Sequence, residues 1–155
     1  MGVYQASDFT LALLEEWKDQ SVYLLEGPEE DGLQHFVTIQ VDPLAQETTL
    51  VDYVDWMVRA QEEHVPGCRL CLKKGVHLGN GLPACRVVFV WHPAEGIQRY
   101  QEQVIVLFER QAYRLSAMFT RKTRRTLGPI VWQVMMGFQP AGSPQPPQKQ
   151  ERHGS

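Results

Sequence analysis

Ala84-Cys85-Arg86-Val87-Val88-Phe89-Val90-Trp91-His92 and Gln98-Arg99-Tyr100-Gln101-Glu102-Gln103-Val104-Ile105-Val106-Leu107-Phe108-Glu109 are two β-branched, aromatic-rich runs joined by Pro93-Ala94-Glu95-Gly96. Their composition predicts strands, and the proline, acid and glycine between them predict a loop. Arg110-Gln111 follows at once, a connection too short for anything but a hairpin, and Tyr113–Thr120 returns as a third strand. Before them, Arg69–Leu78 and the tight Gly79-Asn80-Gly81 turn add a fourth. Links of this length make the four an antiparallel meander.

Toward the N-terminus, Thr48/Thr49 can cap a helix running to about His64. Leu50, Val54, Met57, Val58 and Gln61 recur at helical spacing with Tyr53 alongside, Asp52 and Asp55 sit where the helix dipole favours anions, and Val65-Pro66-Gly67 stops the run. Gln34–Val41 alternates like a strand and ends at Asp42-Pro43. Gly27–Gly32 reads as a loop, with short strands expected at Ser21–Glu26 and Phe9–Leu14. At the other end, Thr126 opens a helix to about Gly137 with the stripe Leu127, Ile130/Val131, Val134 and Phe138. The expected class is α+β: a twisted antiparallel β-sheet with one mid-chain helix and one C-terminal helix. One domain spans residues 1–140. Residues 141–155, with three prolines and nothing to bury, read as a disordered Pro/Gln-rich tail.

A half-exposed antiparallel strand alternates apolar and polar residues, and several strands here do not. One set of side chains includes Val87, Phe89, Trp91, Val104, Val106, Phe108, Leu115 and Phe119. A second set, Val88, Val90, Ile105, Leu107 and Met118, is dotted with Gln103, Ser116, Thr38 and Gln40. Two helices are available for two faces. If both pack on one face, the other keeps a bare patch of the size that marks interfaces; if each face takes one helix, the result is a closed three-layer sandwich. Periodicity leaves both open. An apolar patch with interspersed hydroxyls and amides suits an apolar helix whose few polar groups need partners.

The 155-residue chain is 43% hydrophobic and 21% charged, which excludes wholesale disorder. Its net charge of −3 hides an asymmetry: residues 1–63 carry 14 acids and only two bases, while the other 13 bases lie beyond. Pairing between the halves is the simple reading. Three cysteines cannot close a disulfide set, no apolar run reaches the ~18 residues of a membrane span, and Met1–Asp8 has no signal-peptide pattern, so a cytoplasmic protein without direct membrane insertion is expected. Cys68-Arg69-Leu70-Cys71 stands alone and enters a strand, where its thiols diverge, so no metal site is assigned. No nucleophile elbow, phosphate loop or catalytic pair is visible, which argues against an enzyme and against any cofactor. The basic cluster Arg121-Lys122-Thr123-Arg124-Arg125 lacks interleaved aromatics, so nucleic acid is not expected; it reads as a solvated loop.

Phe36–Leu44, the helix after it, Leu82-Pro83-Ala84-Cys85-Arg86-Val87-Val88-Phe89, Tyr100-Gln101-Glu102-Gln103 and a terminal helix closing on Gly137-Phe138 together resemble the DcrB-like family over roughly residues 8–140. The fold of that family is similar to that of the PsbP photosystem protein, and it includes the Eag chaperones of bacterial type VI secretion. The resemblance implies a PsbP-like sandwich and a cytoplasmic, non-enzymatic homodimer. Its partner would be a secreted effector with N-terminal hydrophobic helices, shielded before export. The open sheet face would bind it through Val88, Val90, Ile105, Leu107 and Met118, with Thr38, Gln40, Gln103 and Ser116 as polar partners. The alternative is an interaction protein of the same fold that binds a folded soluble partner through charged loops such as Arg121–Arg125.

Overall fold

A computed structural model describes residues 2–5, 10–13, 15–16 and 21–147. Strands β1 (Gly2–Gln5) and β2 (Thr10–Leu13) pair with each other. Strands β3 (Val22–Glu30), β4 (Leu33–Pro43), β5 (Arg69–His77), β6 (Pro83–Ala94), β7 (Ile97–Phe108) and β8 (Gln111–Phe119) form one antiparallel sheet in the order β3-β4-β8-β7-β6-β5. The helices are α1 (Leu50–His64), α2 (Arg121–Thr126) and α3 (Gly128–Met136). This is the expected α+β class. The expected Phe9–Leu14 strand is represented by β2; Phe9 and Leu14 themselves lie outside the described residues, as do residues 148–155 of the expected tail.

Local chemistry explains the element boundaries. Thr49 caps α1 by accepting from the Asp52 amide at 3.1 Å. The expected loop at 27–32 is mostly strand: β3 continues through a register shift between Glu26 and Glu29 and turns at Asp31-Gly32. Both turn residues have positive φ, 53° and 73°, the conformation an Asp-Gly hairpin favours. The β7–β8 turn is Glu109-Arg110, with φ of 47° and 60°, rather than Arg110-Gln111, because Gln111 already pairs with Phe108. The basic cluster is not a loop. It is α2, nucleated by a reciprocal cap in which the Thr120 hydroxyl accepts from the Thr123 amide at 3.0 Å and the Thr123 hydroxyl from the Thr120 amide at 2.8 Å. Ser143, placed in the tail from sequence, is held to the body: Asn80 Nδ2 donates to its hydroxyl at 3.1 Å and to the Pro144 carbonyl at 2.9 Å.

Helices cover both faces of the sheet. On one, Tyr53, Val54, Met57 and Val58 of α1 pack on Cys85, Val87, Phe89, Ile105 and Ala112, with Leu107 beside them. On the other, Met135 of α3 joins Ala84, Val104, Val106, Leu115, Ala117 and Phe119, with Leu127, Val131, Trp132 and Phe138 packed against them. Ile130 and Val134, expected in the buried stripe of the last helix, point outward at 60% and 57% exposure. Each large apolar side chain fully buried here stabilises the fold by roughly 1.5–3 kcal/mol.

The two halves of the chain share this core, and ion pairs among the described residues join them, Lys73 with Asp55 and Arg114 with Asp42 at 3.2 Å. The basic cluster meets an acid of its own half instead. Arg124 lies 3.6 Å from the buried Glu102 carboxylate and stacks over Tyr100, while Arg86 donates to the same carboxylate at 2.7 Å and stacks over Trp132. A buried carboxylate thus ties two strands to the α2–α3 corner.

Candidate functional site

Strand register assigns each expected partner-binding residue to a face. Gln103 lies opposite Val87 and Ile105 opposite Cys85, so Gln103, Ile105 and Leu107 share the α1 face. Ser116 lies opposite Gln103, Thr38 opposite Ser116 and Gln40 opposite Arg114, which puts Ser116, Met118, Thr38 and Gln40 on that face as well. Val88 and Val90 are the exceptions. They lie opposite Glu102 and Tyr100, on the face that carries α2 and α3, and Val88 is fully buried. A one-residue offset between β6 and β7 reverses every side chain, and spacing along the chain cannot supply that offset.

Ile105 and Leu107 require a second correction. Both sit beneath α1, and Ile105 has no solvent exposure. They are core residues and cannot meet a partner without displacing the helix.

What remains uncovered is half a face. Helix α1 lies mainly over β5, β6 and β7, reaching β8 at Ala112 and β4 at Asp42, and among the described residues no helix covers the Ser116–Thr38–Leu24 side of the same surface. Its floor holds the half-buried Thr38, Gln40, Ser116 and Met118, with Phe36 nearby. Its outer rim is Val22 and Leu24, 47% and 58% exposed, which lie opposite Gln40 and Thr38. Across it runs one row, Leu24–Thr38–Ser116–Gln103, apolar at the rim and polar inward.

Gln103 ends that row at the foot of α1. It is 4% exposed, and its Oε1 has no hydrogen-bond partner. An unmet buried acceptor costs about 1–3 kcal/mol, so a donor brought to this spot is favoured. The neighbouring Gln101 is satisfied, its carbonyl accepting from Gln61 Nε2 of α1 at 3.2 Å.

At the N-terminal end of α1 this trough opens into a cleft of about 750 Å³, lined by Asp42, Leu44, Tyr53, Trp56 and Arg114 among others. The Tyr53 hydroxyl reaches Asp42 at 3.5 Å, the Arg114 guanidinium pairs with the same carboxylate, and the 63%-exposed Trp56 ring tilts against Tyr53. Burial pushes the Tyr53 phenol above its ordinary range, partly opposed by Arg114. Tyr53 and Trp56 thus wall one end of a surface whose rim is apolar and whose floor mixes hydroxyls and amides with Met118.

Sequence reading missed Val22, Leu24, Tyr53 and Trp56 as site residues. The uninterrupted apolar run Val22-Tyr23-Leu24-Leu25 was the available signal, since an edge strand that is apolar on both faces has no local reason to be so.

His77 and His92 sit near opposite ends of the β5–β6 pair, roughly 30 Å apart at strand rise. Among the described residues no group of three or more His, Cys, Asp or Glu is placed to hold a metal ion. Cys68 and Cys85 are buried in the α1 core, where desolvation raises both thiols above their usual range; Cys71 is exposed. Among the described residues no helix is long and apolar enough to cross a membrane.

The DcrB family model matches residues 9–127. Among solved structures, PA94 of Pseudomonas aeruginosa, a protein of unknown function classed as a candidate regulator, superposes with a TM-score of 0.72 at 20% identity, over 92% of this chain and 99% of its own. LpqN of Mycobacterium tuberculosis, involved in cell envelope biogenesis, gives 0.53 at 14% identity, over 75% of this chain and 78% of its own. At such identities these likenesses establish a shared fold. No curated protein is significantly similar in sequence.

Proposed function

The chain belongs to the DcrB family, and from that premise we propose that it is a non-enzymatic chaperone or adaptor that shields a hydrophobic helix in the bare trough on the α1 face. The observation that carries this reading is the row Leu24–Thr38–Ser116–Gln103, which ends in a buried acceptor without a partner. An apolar helix laid along the trough covers Val22, Leu24, Met118 and the Trp56 wall. Where such a helix carries a Ser or Thr, its hydroxyl exchanges hydrogen bonds with Thr38 and Ser116, and it donates to Gln103 Oε1 once that amide, buried beside α1, turns toward the trough. In water the Thr38 and Ser116 hydroxyls have solvent as partner; beneath a helix they are what keeps a buried polar group satisfied.

The finer identity follows the family resemblance. The client is the N-terminal transmembrane segment of a type VI secretion effector, held in the cytoplasm before export by a homodimer of this chain. A bare apolar surface of this shape is suited to a segment that would otherwise insert or aggregate.

The test is direct. A synthetic apolar helix of membrane-spanning length with one central Ser is titrated into the full chain while Trp56 fluorescence is followed. Saturable binding that Leu24→Asp and Ser116→Trp each weaken at least tenfold, with unchanged melting temperatures, is the expected result. Binding indifferent to both substitutions defeats the proposal. Coexpression with a neighbouring reading frame that encodes N-terminal apolar segments then identifies the client, through its solubility with and without this chain.

A further inference from the structure

Among the described residues the six-stranded sheet has two edges, β3 and β5, and they are built differently. β5 carries Arg69, Lys73 and Lys74, and Cys71 is an extra residue where its register with β6 shifts between Leu70 and Leu72. Charges and bulges are how proteins keep an edge strand from pairing with another chain. β3 has neither over Val22-Tyr23-Leu24-Leu25. These four are 47%, 62%, 58% and 55% exposed, and their register with β4 is regular from Val22 to Glu26. Irregularity begins only beyond Glu26, and there Pro28 removes a backbone donor. The open edge is therefore a short, uncharged segment that is apolar on both faces. Val22 and Leu24 rim the trough, while Tyr23 and Leu25 lie on the α3 face, where Leu25 borders an apolar cleft of about 210 Å³ shared with Pro28, Val37, Phe119 and Ile130.

We propose that this edge pairs with β3 of a second copy of the chain, antiparallel about a twofold axis through Leu24. The inference rests on the homodimer in the reading above and specifies its interface. A helical client cannot serve the edge, because its backbone groups are already bonded to each other; only a strand can. β3 is complementary to itself in one direction only. Antiparallel pairing centred on Leu24 sets Tyr23 against the partner's Leu25, an aromatic–aliphatic cross-strand pair, twice. It sets Glu26 beside the partner's Val22, so the two Glu26 carboxylates stand about 13 Å apart along the strands, beyond the ~8 Å screening length of physiological salt. Parallel pairing would oppose Glu26 to the partner's Glu26. Paired this way, two six-stranded sheets become continuous and the two troughs meet rim to rim, so a client with two apolar helices finds adjacent berths.

The test uses the full chain and sedimentation equilibrium. Wild type is expected to be dimeric in the micromolar range. Tyr23→Lys with Leu25→Lys places lysine against lysine at both cross-strand pairs and should weaken the dimer about 100-fold or more. Tyr23→Lys with Leu25→Glu places lysine against glutamate at the same pairs and should stay dimeric. Circular dichroism checks that both variants remain folded. Should either fail to fold, Leu24→Cys in a Cys71→Ser background provides the second test: the axis brings the two introduced thiols within disulfide reach, so oxidation should link the chains covalently.

A monomeric wild type overturns both the interface and the homodimer. A double-lysine variant that remains dimeric, a charge-paired variant that dissociates, or an absent cross-link overturns the interface alone. Tyr23 and Leu25 lie on the face away from the trough and Ser116 lies two strands in from the edge, so the Ser116→Trp arm of the helix titration is read independently of the lysine and glutamate variants, whereas Leu24, on the axis, reports on both.

Discussion

The α1 face is two surfaces on one sheet. Over β5–β7, Cys85, Val87, Phe89 and Ile105 are sealed by Tyr53, Val54, Met57 and Val58. Over β8–β4–β3, at the same depth and only a strand away, Ser116, Thr38 and Gln40 stay half-exposed, and Val22 and Leu24 are mostly in solvent. The covered half is almost purely apolar; the bare half mixes hydroxyls and amides with its aliphatics. A permanent lid lets a surface dispense with polar groups. A surface that is alternately wet and covered keeps them, because it must be tolerable in both states.

Four perturbations break or sharpen that contrast. The largest acts on the covered half: Ile105→Ala should destabilise the fold by about 2–5 kcal/mol, the cost of a cavity at a fully buried aliphatic, seen as a shifted denaturant midpoint. Thr38→Trp on the bare half should leave that midpoint nearly unchanged and block helix binding, since the added ring occupies the floor. If Thr38→Trp destabilises as Ile105→Ala does, the two halves are not distinct.

Gln103→Leu acts at their boundary. It removes an unpartnered acceptor while keeping volume, so stability should stay within about 1 kcal/mol or rise. A helix carrying a central Ser should then lose affinity relative to an all-aliphatic helix, measured by competition between the two peptides.

The smallest effect is alkaline. Cys68 and Cys85 have thiols raised by desolvation under α1, so in the folded state they hold protons that the unfolded chain releases. Their contribution is fully present below the unfolded thiol range and is lost as pH climbs through it toward the folded values. The denaturant midpoint should therefore decline above about pH 8.5, and less so in Cys85→Ala than in wild type. Cys71, being exposed, should be alkylated in the native protein well before the other two.

Much of the architecture was legible along the chain. The meander, the capped mid-chain helix and the Asp42-Pro43 stop are local statements about propensity, turn length and caps, and they hold in the structure. The second helical turn at Arg121–Thr126 was missed because its cap is a threonine pair, Thr120 and Thr123, where a Ser/Thr with Glu or Gln is the usual signature. The Glu109-Arg110 turn was misplaced by one residue because neither residue advertises positive φ.

The structure splits the expected contact set. Thr38, Gln40, Ser116 and Met118 do line one uncovered surface, and Gln103 ends its polar row. Ile105 and Leu107 share the face but lie under α1, and Val88 and Val90 face the other way. Sequence by itself determined that this sheet has more apolar surface than a one-sided core consumes, because composition and period-two patterning are properties of each strand alone. Tertiary structure decided where the excess lies. The β6–β7 register, the lateral seat of α1 over β5–β7 and the position of β3 at an edge are relations between segments far apart in the chain, fixed only when those segments pack together.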